Sequence, residues 1–108
     1  MVNYYNNKFY KPASQKFSMG LAIIKIKIMP ESPDTDLEEI QKQAENIISE
    51  EQGANIKFEK EPIAFGLTAL IVLFSREENL DSDNLTNKLK EVSGVSSAEI
   101  IDFRRAIG

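Results

Sequence analysis

The hydrophobic and polar positions along the chain separate a polar leader from one folded region. Residues 1–18 contain aromatic side chains among Asn, Lys and Ser, without a period of two or of 3.6 residues. From residue 21 to residue 29, apolar and polar residues alternate. We therefore expect a flexible extension over 1–18 and one domain over 19–108, with two alternatives for the leader. Translation starts at Met19, or the leader grips a partner or covers a sheet edge.

The first two elements follow from this pattern. Residues 21–29 are expected to form a half-buried strand. By alternation, its side chains divide between two faces: Ile24, Ile26 and Ile28 on one, and Ile23, Lys25 and Lys27 on the other. A helix follows, which we expect to begin with a capping box of Thr35 and Glu38 and to end in a left-handed cap at Gly53.

The remaining pattern completes a known arrangement of elements. It predicts these segments in order: a strand over 55–61, a connection over 62–66, a strand over 67–74, a charged loop over 76–81, a helix over 83–92 and a strand over 95–104. The order βαββαβ indicates an α+β fold of the ferredoxin-like, split-βαβ type. We expect a four-stranded antiparallel sheet with two helices on one face, which leaves the other face open for contacts.

The connection over 62–66 places a bulky aromatic residue in a turn. Pro62 fixes its own backbone torsion, Gly66 permits angles that other residues avoid, and Phe65 lies between them. Two interpretations of Phe65 are open. Either the ring is displayed for contact with a partner, or it caps the core at the start of the next strand.

Composition excludes several classes of chemistry. The 108 residues are 42% hydrophobic and 28% charged, which is typical of one globular domain. Cysteine and histidine are both absent from the sequence, so thiol nucleophiles and thiolate or imidazole metal sites are excluded. No apolar run reaches the roughly 18 residues of a membrane span. Most hydrolase and oxidoreductase constellations are thereby excluded, and we expect a cytoplasmic protein.

Charge argues against several ligands. Residues 1–18 carry three lysines and no acid, which leaves ten basic and seventeen acidic residues and a net charge of −7 in the rest. This balance is unlike that of a nucleic-acid-binding domain. Of the aromatics that could stack bases on the two central strands, the sequence offers only Phe74. Neither a phosphate-binding loop nor a calcium-loop pattern is present, so we predict no metal, no cofactor and no direct nucleotide binding.

Arg104 and Arg105 form one compact basic pair close to the end of the sequence. One interpretation is a short tail that frays into solvent. The other is a pair of guanidinium groups that binds acidic groups of a partner.

Three segments together resemble archaeal translation elongation factor 1-beta. They are IKIMPESP at 26–33, EPIAFGL at 61–67 and DFRRAIG at 102–108. The resemblance spans residues 19–108 and implies the fold described above. It also implies a guanine-nucleotide exchange factor for elongation factor 1-alpha, the GTPase that delivers aminoacyl-tRNA to the ribosome. Such a factor acts by binding and performs no covalent chemistry.

The resemblance also implies a set of partner-binding residues: Pro62, Ile63, Ala64, Phe65, Gly66, Arg104 and Arg105. The phenylalanine would enter a pocket on the GTPase domain, with its neighbours shaping the loop. Eukaryotic relatives use a lysine near the C-terminus to disturb the magnesium and phosphate site. This chain has no lysine there, so its arginines contact the partner or magnesium is displaced indirectly.

A second function is compatible with the same fold. A small regulatory or assembly module would use the open sheet face to dimerise or to bind a metabolite, and Lys25 and Lys27 lie on that face. An exchange factor is instead expected to be monomeric alone and to form a one-to-one complex with its GTPase.

Overall fold

A computed structural model of the chain describes residues 20–106. The extension predicted over 1–18 lies outside the described residues. The elements, in chain order, are β1 (Leu21–Pro30), α1 (Leu37–Glu50), β2 (Ala54–Pro62), a single 3₁₀ turn (Ala64–Gly66), β3 (Thr68–Glu77), α2 (Asp83–Lys90) and β4 (Val95–Ala106). The strands form one antiparallel sheet in the order β2-β3-β1-β4. This confirms the predicted α+β, ferredoxin-like fold.

The core lies between one face of this sheet and both helices. Side chains alternate along β1, so that Ile24, Ile26 and Ile28 are at most 1% exposed while the residues between them face away. One hydrophobic cluster joins them to β3, α1 and α2 through the following residues: Leu70, Val72, Phe74, Ile40, Ala44, Ile48, Leu85 and Leu89. The predicted faces of β1 are confirmed, and neither of the two helices within residues 20–106 lies on the second face of the sheet.

Both ends of α1 differ from the prediction. The N-cap is Asp36 and not Thr35, because an Asp36 carboxylate oxygen accepts hydrogen bonds from the backbone N–H groups of Glu38 and Glu39. At the other end, the left-handed residue is Gln52, with φ of 73°. Gly53 follows it and donates its N–H to the Ile48 carbonyl at 2.7 Å, as in a Schellman motif. Glycine is needed there because a Cβ would collide with the Ile48 side chain.

Arg76 was expected in a charged loop, and this is wrong. β3 continues to Glu77, and the Arg76 residue is only 4% exposed. Its Nε donates to the Glu51 carbonyl at 2.6 Å, and its Nη1 donates to the Asp81 carbonyl at 3.2 Å. The guanidinium thus ties β3 to the end of α1 and to the loop before α2. The carbonyl groups of Glu51 and Asp81, which follow α1 and precede α2, gain a donor in this way.

Glu51 joins the same network from the C-cap of α1. Lys88 Nζ donates to Glu51 Oε2 at 2.6 Å, and Arg76 Nη2 donates to Oε1 at 3.4 Å. The Lys88 hydrogen bond, helped by the charges of Lys88 and Arg76, holds the pKa of Glu51 below its ordinary value of 4.5, although partial burial opposes this. The same hydrogen bond raises the pKa of Lys88 above 10.5.

Within residues 20–106, no helix is long and apolar enough to cross a membrane.

We predict that Arg76→Met lowers the free energy of unfolding by about 3 kcal/mol, because it removes a buried cation and leaves two carbonyls without a donor. Urea denaturation followed by circular dichroism measures the loss. Lys88→Met is the control, since it removes only the exposed partner of Glu51 and should cost less. Equal losses of unfolding free energy in the two variants would contradict a stabilising role for the buried Arg76 guanidinium.

We predict that Glu51→Gln destabilises the protein most at neutral pH. A carboxyl group whose pKa falls on folding contributes stability that is complete above its unfolded value and is lost as pH drops through the folded value. The difference in unfolding free energy between wild type and Glu51→Gln should therefore shrink as pH falls below 4.5. Urea denaturation at pH 7 and at stepwise lower pH tests this. A difference that stays constant with pH would rule it out.

Candidate protein-interaction site

The connection between β2 and β3 is a tight turn that presents Phe65 at its tip. Pro62 and Thr68 are the last register pair of the two strands. Beyond them, the Ile63 N–H donates to the Leu67 carbonyl at 2.7 Å, and the Leu67 N–H donates to the Ala64 carbonyl at 3.3 Å. The second bond closes a four-residue β-turn in which Phe65 and Gly66 are the central residues.

The turn requires a left-handed backbone at both central residues. Phe65 has φ of 65° and ψ of 30°, and Gly66 has φ of 76°. These angles define a type I′ turn, which matches the twist of a hairpin and usually carries Asn-Gly. Glycine adopts them freely, whereas a residue with a Cβ does so at a cost of about 1–2 kcal/mol. Phe65 is therefore held in a left-handed backbone conformation that its Cβ atom disfavours.

The Phe65 side chain does not pack against the core, so packing does not offset this strain. The residue is 94% exposed, the highest value among the exposed large hydrophobic residues of the described chain. The interpretation that Phe65 caps the core at the start of the strand is wrong, because the ring is exposed; its contact with a partner stays a prediction. Backbone strain at an exposed aromatic residue is typical of functional positions, where rigidity is retained for a partner.

The turn is supported from one side by the segment between β1 and α1. A Cβ placed on Gly66 would lie 3.9 Å from Pro33 Cγ, so this segment passes beside the turn. The segment itself is held by the Glu31 N–H, which donates to the Gly94 carbonyl at 2.9 Å. Ile63 is half-buried beneath the turn, while Ala64 is exposed beside the ring. The predicted residues 62–66 therefore form one continuous surface feature.

Arg104 and Arg105 do not lie on a short tail, as the sequence suggested. They belong to β4, where they pair in register with Ile23 and Ala22 of β1. β1 extends far enough to pair with β4 through Ala106, so both arginines lie within the strand. Both arginines are nonetheless well exposed at the edge of the sheet.

The two arginines point to opposite faces of the sheet. Arg104 shares the open face with Ile23, and its Nε lies 3.0 Å from Asp102 Oδ2. Arg105 shares the helix face with Ala22, and its Nε lies 2.7 Å from Glu78 Oε1. That second contact is an ion pair without the geometry of a hydrogen bond. A single flat partner surface on the open face would therefore meet Arg104 and not Arg105.

The structure separates the turn from the arginine pair. Arg104 pairs with Ile23, which pairs with Ser75 close to the end of β3, whereas the turn precedes Thr68 at the beginning of β3. At roughly 3.3 Å per residue, this part of β3 spans about 23 Å. The predicted site residues thus form two patches at opposite ends of the sheet.

The sequence analysis did not place Lys57 on the open face of the sheet. Lys57 lies opposite Leu73, which lies opposite Lys25, so the two lysines share a row across three strands. The alternation of residues 55–61 was the available signal, but only the register between strands shows which row each residue joins.

The described residues show no cluster of metal ligands, and the phenylalanine of the two central strands is buried. Among residues 20–106 there is no group of three or more Asp or Glu side chains that could hold a metal ion. The acidic loop after β3 uses its groups internally, since Asp81 Oδ1 accepts the Asp83 N–H at 2.9 Å. Phe74 is 1% exposed in the core, so it cannot serve as a stacking surface.

Comparison with known proteins agrees with this arrangement. Residues 23–106 match the family model described as the EF-1 guanine nucleotide exchange domain. The chain is 44% identical over 77 residues to elongation factor 1-beta of Pyrococcus abyssi, which covers 69% of this chain and 84% of the relative. It is 39% identical over 89 residues to elongation factor 1-beta of Methanothermobacter thermautotrophicus, with 81% and 98% covered. It is 40% identical over 88 residues to that of Methanosarcina barkeri, with 81% and 99% covered. The chain therefore belongs to the archaeal elongation factor 1-beta family.

Proposed function

We propose that this protein promotes release of GDP from translation elongation factor 1-alpha and allows GTP to load in its place. The observation that carries the proposal is the 94% exposed ring of Phe65, held in a left-handed backbone at the tip of a type I′ turn. A rigid, protruding aromatic side chain is the kind of group that anchors protein interfaces by filling a pocket on the partner. Membership in the exchange-domain family gives the partner class, a GTPase of translation elongation.

Exchange of this kind is driven by differential binding. A factor that lowers the affinity of the GTPase for GDP by some ratio must itself bind the GDP-loaded form more weakly by the same ratio, since the coupling is reciprocal. The factor therefore binds the nucleotide-free GTPase most tightly and is displaced when GTP enters. No acid, base or nucleophile is required of the factor, which fits a chain without cysteine or histidine.

The turn supplies geometry that a flexible loop would not. Two hydrogen bonds, from the Ile63 N–H and from the Leu67 N–H, hold the strand ends together below the ring. Pro62 restricts the chain where it leaves the sheet, and Gly66 permits the second left-handed position. Because the ring is positioned before it meets the partner, less conformational entropy is lost on binding. That free energy is then available to distort the nucleotide site.

Arg104 and Arg105 extend the proposed contact to the other end of the sheet. Each arginine lies close to one carboxylate of this chain, and its side chain is mostly exposed. Planar guanidinium groups bind carboxylates in pairs of hydrogen bonds. We assign the exchange function to residues 19–108, acting in the cytoplasm as a monomer that forms a one-to-one complex with the GTPase.

The direct test is release of labelled GDP from the cognate elongation factor 1-alpha. We expect release to accelerate with added protein and a complex that forms most readily without GDP, measured by pull-down. Equal release with and without the protein would remove the proposal. A stable dimer that ignores the GTPase would instead support a regulatory module on the same fold.

We predict that Phe65→Ala slows GDP release by about tenfold or more at saturating factor, because the anchoring ring is lost. The unfolding free energy should change little, since a side chain that is 94% exposed contributes almost nothing to the core. Stopped-flow measurement with a fluorescent GDP analogue gives the rate, and urea denaturation gives the stability. Phe58→Ala is a matched control for a packed ring, because Phe58 lies against the core. An unchanged rate of GDP release with folded Phe65→Ala would show that Phe65 does not anchor the contact with the GTPase.

We predict that Phe65→Asn stabilises the protein by about 1 kcal/mol while it slows exchange. Asparagine tolerates the left-handed backbone better than phenylalanine, so the strain is reduced. Thermal and urea denaturation measure the gain, and the same GDP-release assay measures the loss. A variant that loses stability would show that the ring makes a structural contribution after all.

A further inference from the structure

Pairing between β1 and β3 continues one residue beyond the start of β1. Leu21 lies opposite Glu77 in the register, and the Glu78 N–H donates to the Gly20 carbonyl at 3.2 Å. Gly20 and Glu78 therefore lie opposite each other at the end of the sheet. Because side chains alternate along a strand and Leu21 shares the open face with Ile23, this pair belongs to the helix face.

The Glu78 side chain occupies the space that a side chain at residue 20 would need. A Cβ placed on Gly20 would lie 2.6 Å from Glu78 Oε2 and 3.1 Å from its Cδ, which is too close for the carboxylate to stay in place. The carboxylate thus lies over the Cα of Gly20. By crossing β1 in this way it reaches Arg105 of β4, whose Nε lies 2.7 Å from Glu78 Oε1.

The groups around this carboxylate do not satisfy it fully. Glu78 Oε1 is buried and has no hydrogen-bond partner within residues 20–106, since the contact with Arg105 lacks hydrogen-bond geometry. A buried carboxylate oxygen without a donor is destabilising. An additional donor beside Gly20 would remove this cost.

The nitrogen of Gly20 is close enough to become that donor. It is about 2.5 Å from a Cβ on the same Cα, so it lies within about 5 Å of Glu78 Oε2. As a peptide nitrogen it carries one N–H and no charge. As an α-ammonium group it carries three N–H donors and a positive charge, and its hydrogen bonds to a carboxylate are stronger than neutral ones.

The sequence provides a route to such an α-ammonium group. Met19 directly precedes Gly20, and translation from Met19 is one of the alternatives for the leader. Methionine aminopeptidases remove an initiator methionine when the next residue is small, as glycine is. Water then cleaves the Met19–Gly20 peptide bond, free methionine leaves, and the released Gly20 nitrogen takes up a proton.

We propose that the mature protein begins at Gly20 and that its α-ammonium group binds the Glu78 carboxylate beside Arg105. Glycine serves two purposes at this position, because it permits removal of Met19 and leaves room for the carboxylate. The three groups join β3, β1 and the edge strand β4 at one end of the sheet. The proposal is independent of the exchange function.

The first test is the intact mass of the protein isolated from the cells that produce it. We expect the mass of residues 20–108. A mass that includes residues 1–18, or one that retains Met19, would overturn the proposal.

The second test compares a chain of residues 20–108 with the full chain, in which Gly20 has a peptide nitrogen. The hydrophobic core is formed by residues after Gly20, so the shorter chain retains it. We expect Glu78→Gln to lower the melting temperature by about 4 °C more in the shorter chain than in the full chain. Glu77→Gln is the matched control, because Glu77 is an exposed carboxylate on the other face, and its effect should be equal in both chains. Equal effects of Glu78→Gln in both chains, or a shorter chain that does not fold, would contradict the proposal.

The dependence on pH identifies the α-ammonium group as the source of this difference. An α-amino group has an ordinary pKa of about 7.7–8.0, and we expect binding to Glu78 to raise this pKa. A group whose pKa rises on folding contributes stability that is complete below the unfolded value and is lost as pH rises through the folded value. The additional effect of Glu78→Gln in the shorter chain should therefore be complete at about pH 6 and absent above about pH 10. An additional effect that persists at high pH would show that the α-ammonium group is not its source.

Discussion

The packing of two helices against one face of β1 and β3 is the constraint on which the rest of the structure depends. Because side chains alternate along a strand, burying Ile24, Ile26 and Ile28 sends every intervening residue to the opposite face. A shift of one residue in register would exchange the two faces and place lysines in the core. The same interaction that stabilises the domain therefore also creates its open, charged surface.

The β2–β3 turn extends this logic to the proposed contact with a GTPase. Hydrogen bonds at the base of the turn impose left-handed angles on Phe65, and the sheet behind it supplies the stability that offsets the strain. The ring has nothing to pack against within the described residues. Folding stability alone does not favour a strained and exposed aromatic residue. The proposed binding of a GTPase would account for both features.

The proposed function depends on the shape and charge of exposed groups and not on groups with perturbed pKa values. The buried guanidinium of Arg76 and the carboxylate of Glu51 are used to join β3, α1 and α2, so the groups with an unusual environment serve structure. The exposed groups include the ring of Phe65 at one end of the sheet and the side chain of Arg104 at the other.

Local pattern was sufficient for the order of elements, the faces of β1 and the position of the turn between β2 and β3, since alternation, helical periodicity and a proline-glycine pair act over a few residues. The exposure of Phe65 in that turn was decided only by the tertiary structure. It failed locally at the start of α1, where two neighbouring residues could serve as the N-cap and Asp36, not Thr35, does so. It also failed where distant groups decide, since Arg76 is buried beside the Glu51 carbonyl, which is far from it in the sequence. Likewise, only pairing with β1 places Arg104 and Lys25 in neighbouring rows of one face. Strand register is long-range information, and it arises from the packing of the whole sheet.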